Sequence, residues 1–296
     1  MSLLGEVRDR AVSCSSTANS TAILESLGKP SVSRRNIPGI TWKTDYEGTF
    51  RFGRRTASVL LESSRHLTIA WSGHRCCEAP TALLTAMEML GGNTRYVRRG
   101  NKVGLLADVA VGDGNNVATA LSALRESFEL GAGILAGTRV APVQQSPEPP
   151  LLEQSAVEQA LAGFHKDDPA LVRRQSEWEL RLPLAARVFP VRLRRVERAL
   201  AVSCRTFRND CRSAVQEVAL TDHILRFNAR LRGCRLRSEG TAFIAETRLD
   251  RHQLDRAHLL NAARAVAIAA RVARTEIQLL ALRPVVAATY RAVMGV

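Results

Sequence analysis

The chain repeats itself, and that constrains its fold more than any single motif does. Sliding the sequence along itself by about 135 residues brings Trp42 onto Trp178, Cys77 onto Cys211 and Asn93 onto Asn228. Between these anchors the apolar pattern also recurs: Leu105-Leu106-Ala107-Asp108-Val109 reads like Phe243-Ile244-Ala245-Glu246-Thr247. Two similar domains in one chain are therefore expected, and linking them raises the concentration at which each meets the other. At 296 residues each copy is long enough to bury its own core.

The order of elements follows from periodicity. A helix is expected from Thr17 to Leu27, ended by Gly28-Lys29-Pro30. Strand formers follow at 40–43, 49–52, 59–61 and 67–71, with Phe50 and Phe52 alternating against Thr49 and Arg51 as in a sheet with one wet face. Pro80 opens a helix through Leu90, strands follow at 94–99 and 103–111 around the turn Gly100-Asn101, and a helix runs from Asn116 to Leu135. The Pro- and Gln-rich stretch 138–151 reads as a linker.

The pattern then restarts with a helix at 157–164. Strands at 178–182, 188–196 and 200–203 follow, then a helix at 213–227, strands at 231–237 and 241–249, and a helix from Asp255 to about Leu282. The reading is an α+β protein of two tandem α-β-β-β-α-β-β-α domains, each an antiparallel sheet with helices packed on it. The expected boundaries are a loosely ordered 1–16, domains at 17–137 and 152–296, and a pseudo-dimeric arrangement of the two. The last helix carries many alanines and is expected to pack against its counterpart around 117–135.

The net charge of +14 bears on partners. All but four of the 42 basic residues are arginine, the better side chain for bidentate contact with carboxylate or phosphate; arginine bias is also what a GC-rich genome produces without selection for any ligand. Arg95 and Arg98 fall on one expected strand, Arg235 and Arg237 on the matching strand of the second copy, and Arg192 and Arg194 on another. Arg235 and Arg237 share a sheet face, as do Arg192 and Arg194, because i and i+2 point the same way; all six are the candidate residues for an acidic partner, with solvated arginines on a wet sheet face as the plainer alternative. Aromatic residues for base stacking are missing among them.

Chemistry-bearing groups are sparse. His74, Cys76 and Cys77 are close in sequence, but adjacent cysteines diverge and no Cys-x-x-Cys is present, so no metal site is expected. His223 with Cys204 or Cys211 could form a nucleophile pair only if the fold brought them together. Gly112-Asp113-Gly114-Asn115 lacks the lysine of a phosphate-binding loop and reads as a strand-to-helix turn. No catalytic residue, cofactor or metal is expected. Glu6, Arg8, Asp9 and Arg10 interrupt any signal-peptide core, and arginines interrupt the last helix, so a cytoplasmic protein without a membrane span is expected.

The element order has a family attached. Leu90-Gly91-Gly92-Asn93 before Val103-Gly104-Leu105-Leu106-Ala107, and Phe227-Asn228 before Ala242-Phe243-Ile244-Ala245, resemble the YbjN-like fold shared with type III secretion chaperones. The resemblance covers about residues 17–137 and 152–282. It implies a non-enzymatic module that holds an extended or amphipathic segment of a protein client on sheet and helix surfaces. Chaperones of this shape are usually acidic, and this chain departs from them in charge. The alternative reading is a basic nucleic-acid-associated protein using the strand arginines.

Overall fold

A computed structural model describes residues 40–44, 47–52, 55–63, 66–76, 78–90, 93–110, 115–137, 151–162, 164, 170–174, 177–196 and 198–295. The expectations for 1–16, for a helix over 17–27 and for most of the linker lie outside these residues.

The first unit runs β1 (Ile40–Trp42), β2 (Glu47–Phe52), β3 (Arg55–Ser63), β4 (His66–Arg75), α1 (Ala82–Ala86), β5 (Asn93–Arg99), β6 (Lys102–Ala110) and α2 (Asn115–Leu135). The second runs α3 (Gln154–Ala162), β7 (Leu171–Arg174), β8 (Glu177–Leu184), β9 (Arg187–Val196), β10 (Ala199–Arg208), α4 (Ala214–Asn228), β11 (Arg235–Glu239), β12 (Ala242–Leu249) and α5 (Arg256–Val272). Two short C-terminal helices follow, α6 (Gln278–Leu282) and α7 (Pro284–Met294). The molecule is α+β, with two six-stranded antiparallel sheets of order β1-β2-β3-β4-β6-β5 and β11-β12-β10-β9-β8-β7. Each unit has four strands before its middle helix, one more than the α-β-β-β-α order allows; in the first unit all four fall on the strand-forming stretches, and the additional strand lies in the second. Leu171-Val172-Arg173-Arg174 is too short to announce itself, and it becomes a strand by pairing with Glu177–Leu180.

The repeat is real in its elements, but two of its three sequence anchors are misaligned, and the third rests on Cys77, which lies outside the described residues. The turn between β3 and β4 and that between β9 and β10 are offset by 133 (199 − 66), whereas the β5–β6 and β11–β12 turns are offset by 140 (242 − 102). Trp42 lies on the first strand of its sheet and Trp178 on the second strand of the other, while Asn93 opens a strand and Asn228 ends a helix. A shared irregularity locates the true correspondence. The strand before the middle helix is bulged in both units, between Trp71 and His74 opposite β6 and between Arg205 and Arg208 opposite β12.

A bulge interrupts the ladder and leaves backbone groups needing partners. In the second unit, Arg274 supplies them, donating from Nε to the Thr206 carbonyl (2.6 Å) and from Nη2 to the Arg205 carbonyl (2.7 Å). Arg274 sits in a π-helical turn, Ala273–Ile277, that follows α5 directly. In the first unit the bulge is tight, since a Cβ on Gly73 would meet the Val103 carbonyl oxygen at 1.5 Å.

Cores form on one face of each sheet. Along β8, Trp178, Leu180 and Leu182 are buried between partly covered or exposed neighbours, the period of two that the sequence shows. The helix α5 lies on β8, β9, β10 and β12 through Leu259, Ala263, Val266, Ala267 and Ala270. The helix α2 lies on β5 and β6 through Leu121, Leu124 and Phe128. Each long helix thus covers its own sheet, where the sequence pattern suggested that the two would pack on each other. Asp255 caps α5 by accepting from the His258 N–H at 2.8 Å.

Three hairpin turns place their first turn residue at positive φ: Gly100 (59°), Gly240 (56°) and Ala185 (53°). Glycine adopts this conformation without penalty and alanine does not. Ala185→Gly is therefore expected to raise stability by about 1 kcal/mol, read as a higher urea midpoint at unchanged slope.

Candidate functional site

Four of the six candidate arginines are not on an open sheet face. Arg95, Arg98, Arg235 and Arg237 are buried at the junction between the two units. The junction has an approximate two-fold logic: β5 of the first unit packs on α4 of the second, β11 of the second packs on α1 of the first, and β5 meets β11. In the hairpin alignment Arg95 and Arg235 occupy the same position.

These two arginines do the same job in opposite directions. Arg95 donates across the junction to the carbonyls of Asn228 (2.9 Å) and Leu231 (2.6 Å), at the end of α4. Arg235 donates to the carbonyls of Leu90 (3.1 Å), past the end of α1, and of Thr94 (2.8 Å), in β5. The carbonyls past a helix end lack intrahelical partners, and in α4 they carry the negative end of the helix dipole, so a guanidinium there is satisfied twice over.

Carboxylates complete each cluster. Asp108 accepts from Arg95 (2.7 Å) and from the backbone N–H of Gly233 (2.7 Å) across the junction. Glu246, 1% exposed, accepts from Arg235 (2.6 Å), Arg237 (2.7 Å) and Arg248 (3.2 Å). Burial alone would raise the Glu246 carboxyl, but Arg235, the Arg237 hydrogen bonds and Arg248 outweigh it and bring it from 4.5 down to about 2. Burial lowers Arg235 to about 10, so it stays charged at neutral pH. Arg248 also donates to the carbonyls of Glu88 (2.7 Å) and Leu90 (3.2 Å), and Asn93 accepts from Thr247 (2.8 Å).

A third cluster centres on Asp222 of α4. Its carboxylate lies 2.8 Å from Arg98 Nε, whose N–H is directed at the Gly100 carbonyl, and accepts from Arg226 (2.7 Å) and from the Tyr290 hydroxyl of α7 (2.7 Å). Burial first, then Asp222, pushes the Tyr290 phenol up. Arg291 of α7 reaches Glu78 of the first unit at 2.6 Å, so the C-terminal helix straps the junction. Asn228 is a structural clamp, exchanging two amide hydrogen bonds with the backbone of Leu236 at 2.9 and 2.8 Å and donating to Met87 Sδ of the first unit at 3.6 Å.

Arg192 and Arg194 are placed differently. They lie exposed on β9, directly across the ladder from Glu179 and Glu177. Of the six candidates, these two remain on an open face.

The other sequence candidates separate. Cys77 and the side chain of His74 lie outside the described residues, while Cys76 donates to the Glu78 carbonyl. Among the described residues no three His, Cys, Asp or Glu side chains converge as metal ligands would. Burial pushes Cys204 up to about 11, and burial with Glu217 and Asp210 does the same to Cys211, which disfavours the thiolate. His223 is lowered to about 4, chiefly by burial, and packs on the Tyr290 ring with centroids 5.2 Å apart. No helix among the described residues is long and apolar enough to cross a membrane.

A feature missed by sequence reasoning lies beside α5. Between this helix and the segment leading from α4 to β11 runs a groove of about 350 Å³, walled by Phe227, Leu231, Ala265, Ile268 and Val272, with Arg230 and Arg232 on its rim. A usable signal was present: from Arg256 to Val272 the chain holds arginines and no acidic residue.

No family model matches the chain, and a search of curated proteins finds no relative.

Glu246→Ala would leave Arg235 buried without its anion and Arg237 relying on the half-exposed Glu239, and is expected to cost about 3–5 kcal/mol in urea unfolding. Arg192→Ala with Arg194→Ala is expected to stay within about 0.5 kcal/mol. The Glu246 carboxyl sits at about 2 in the folded chain against 4.5 ordinarily. Its contribution, on the order of 3 kcal/mol, is therefore complete above pH 4.5 and is lost as pH falls towards 2. Unfolding curves at pH 7, 4 and 3 should show that loss in the wild type and a much smaller one in Glu246→Gln.

Proposed function

We propose that the chain is a non-enzymatic, cytoplasmic protein-binding module that holds a protein client on the helical surface of its second unit. The resemblance to YbjN-like regulators and type III secretion chaperones supports this reading. The observation that carries it is the character of the uncovered helices. Ile268, Leu279, Leu282, Val285, Val286 and Val293 are all exposed, Val285 by 78% and Val293 by 68%. On α7, Ala287 is the buried residue, and the exposed positions are apolar except for Thr289. A helix with a broad exposed apolar face is ordinarily covered, and clustered exposed aliphatic side chains mark interaction surfaces.

Nucleic-acid association draws on the +14 charge, but its case is reduced by the junction. Arg95, Arg98, Arg235 and Arg237 are engaged internally, and Arg192 and Arg194 each face a glutamate across the ladder. Arginines balanced in this way give a weak polyanion track, and no aromatic platform accompanies them.

The readings part in an affinity capture from lysate, with and without nuclease, washed at low salt and then at about 0.5 M, where exposed charge contacts are largely screened. A defined protein retained through nuclease and salt is expected. Recovery of nucleic acid alone, lost at high salt, would overturn the protein-binding reading.

A further inference from the structure

We propose that the groove beside α5 binds an acidic amphipathic segment of the partner protein, with aliphatic side chains seated in the groove and carboxylates on the arginines around it. The proposal rests on the protein-binding reading above and names where and what that binding is.

Three observations lead to it. The groove exists because α5 presents Ala265 and Ala269 where it passes the α4–β11 segment, leaving space that larger side chains would fill. A cavity of about 150 Å³ admits a benzene-sized group, so 350 Å³ has room for two aliphatic anchors. Ile268 stands at its edge, 50% exposed, where an incoming apolar side chain would cover it.

The charge around the groove has one sign over a long stretch. Arg264 and Arg271 are exposed and, with Ile268 between them, fall at i, i+4 and i+7 on one face of α5. Arg230 and Arg232 stand on the opposite rim, and Arg230 lies over the Phe227 ring at 5.6 Å. The one carboxylate in the lining, Glu276, is 3.6 Å from Arg230. An apolar floor between rows of arginine is complementary to a segment with aliphatic residues on one face and glutamates or aspartates beside them. A nucleic acid would gain from the arginines but would leave the aliphatic floor unused.

The groove wall is also fixed by the other unit. Arg95 holds the Leu231 carbonyl at 2.6 Å and Asp108 holds the Gly233 N–H at 2.7 Å. The segment carrying Leu231 and Arg232 is therefore positioned by first-unit side chains, which pre-organises it at little cost on binding.

The test uses the full chain and a labelled synthetic helix with leucine on one face and glutamate on the other, followed by fluorescence anisotropy. A lysine-for-glutamate helix and a single-stranded oligonucleotide serve as controls. The glutamate helix is expected to bind, the lysine helix not to. Ile268→Glu is expected to weaken binding at least about tenfold, as loss of a central anchor does. Arg264→Glu with Arg271→Glu is expected to weaken it similarly, and Arg192→Glu with Arg194→Glu to leave it unchanged. Both groove changes lie at exposed positions, and Ile268→Ala, expected to weaken binding in the same direction, guards against misfolding of the glutamate variant. Equal affinity in wild type and Ile268→Glu would overturn the groove while leaving a protein-binding role in place. No binding of the glutamate helix would also overturn the groove. If the oligonucleotide alone bound, both the groove and the protein-binding reading would fall.

Discussion

The ion pair between Arg235 and Glu246, 2.6 Å apart and 0% and 1% exposed, is the contact on which the arrangement of the two units turns. Moving either charge out of water is costly, and the partners found by most of the polar groups offset that cost, with Arg235 Nε left buried without one. Here Glu246 receives Arg235, Arg237 and Arg248, and Arg235 continues across the junction to the Leu90 and Thr94 carbonyls. An apolar junction of similar volume would give up little stability. What the charges supply is direction, because a guanidinium held by a carboxylate on one side and two carbonyls on the other accepts one placement of the units.

Several other features follow from that placement. Arg95 repeats the arrangement from the opposite unit, so carbonyls at the end of α4 and at Leu90 beyond α1 each meet a guanidinium from the other unit. The Asp222 cluster ties α4 to β5 and to the C-terminal strap through Tyr290. The segment after α4 is held by Arg95 and Asp108, and it forms one wall of the groove beside α5. The surface proposed for partner binding is thus shaped by the contact between the units as well as by the second unit alone.

Periodicity made the α+β tandem legible, since alternation along 178–182 and the apolar stripe of α5 each survive in the fold. Two of the three anchors did not survive. Trp42 and Trp178 fall on non-equivalent strands, because loop lengths differ between the copies and the offset drifts from 133 to 140. The arginine clusters were visible, and their burial was not. Whether Arg235 faces water depends on Glu246, eleven residues away across a hairpin, and on Leu90, 145 residues away in the other unit. Composition makes arginine an exposed residue by default, and only tertiary pairing reverses that. The groove escaped for the opposite reason: its alanines read as core packing, and what marks it is the absence of acid along one helix.

The central claim is that the strand arginines serve the junction and not a partner. Arginine-selective dicarbonyl labelling of the native chain, resolved by peptide mass spectrometry, tests it most directly. Arg192 and Arg194 should be modified rapidly, while Arg95, Arg235 and Arg237 should be protected until the chain is unfolded. Modification of all five at one rate in the native chain would contradict it.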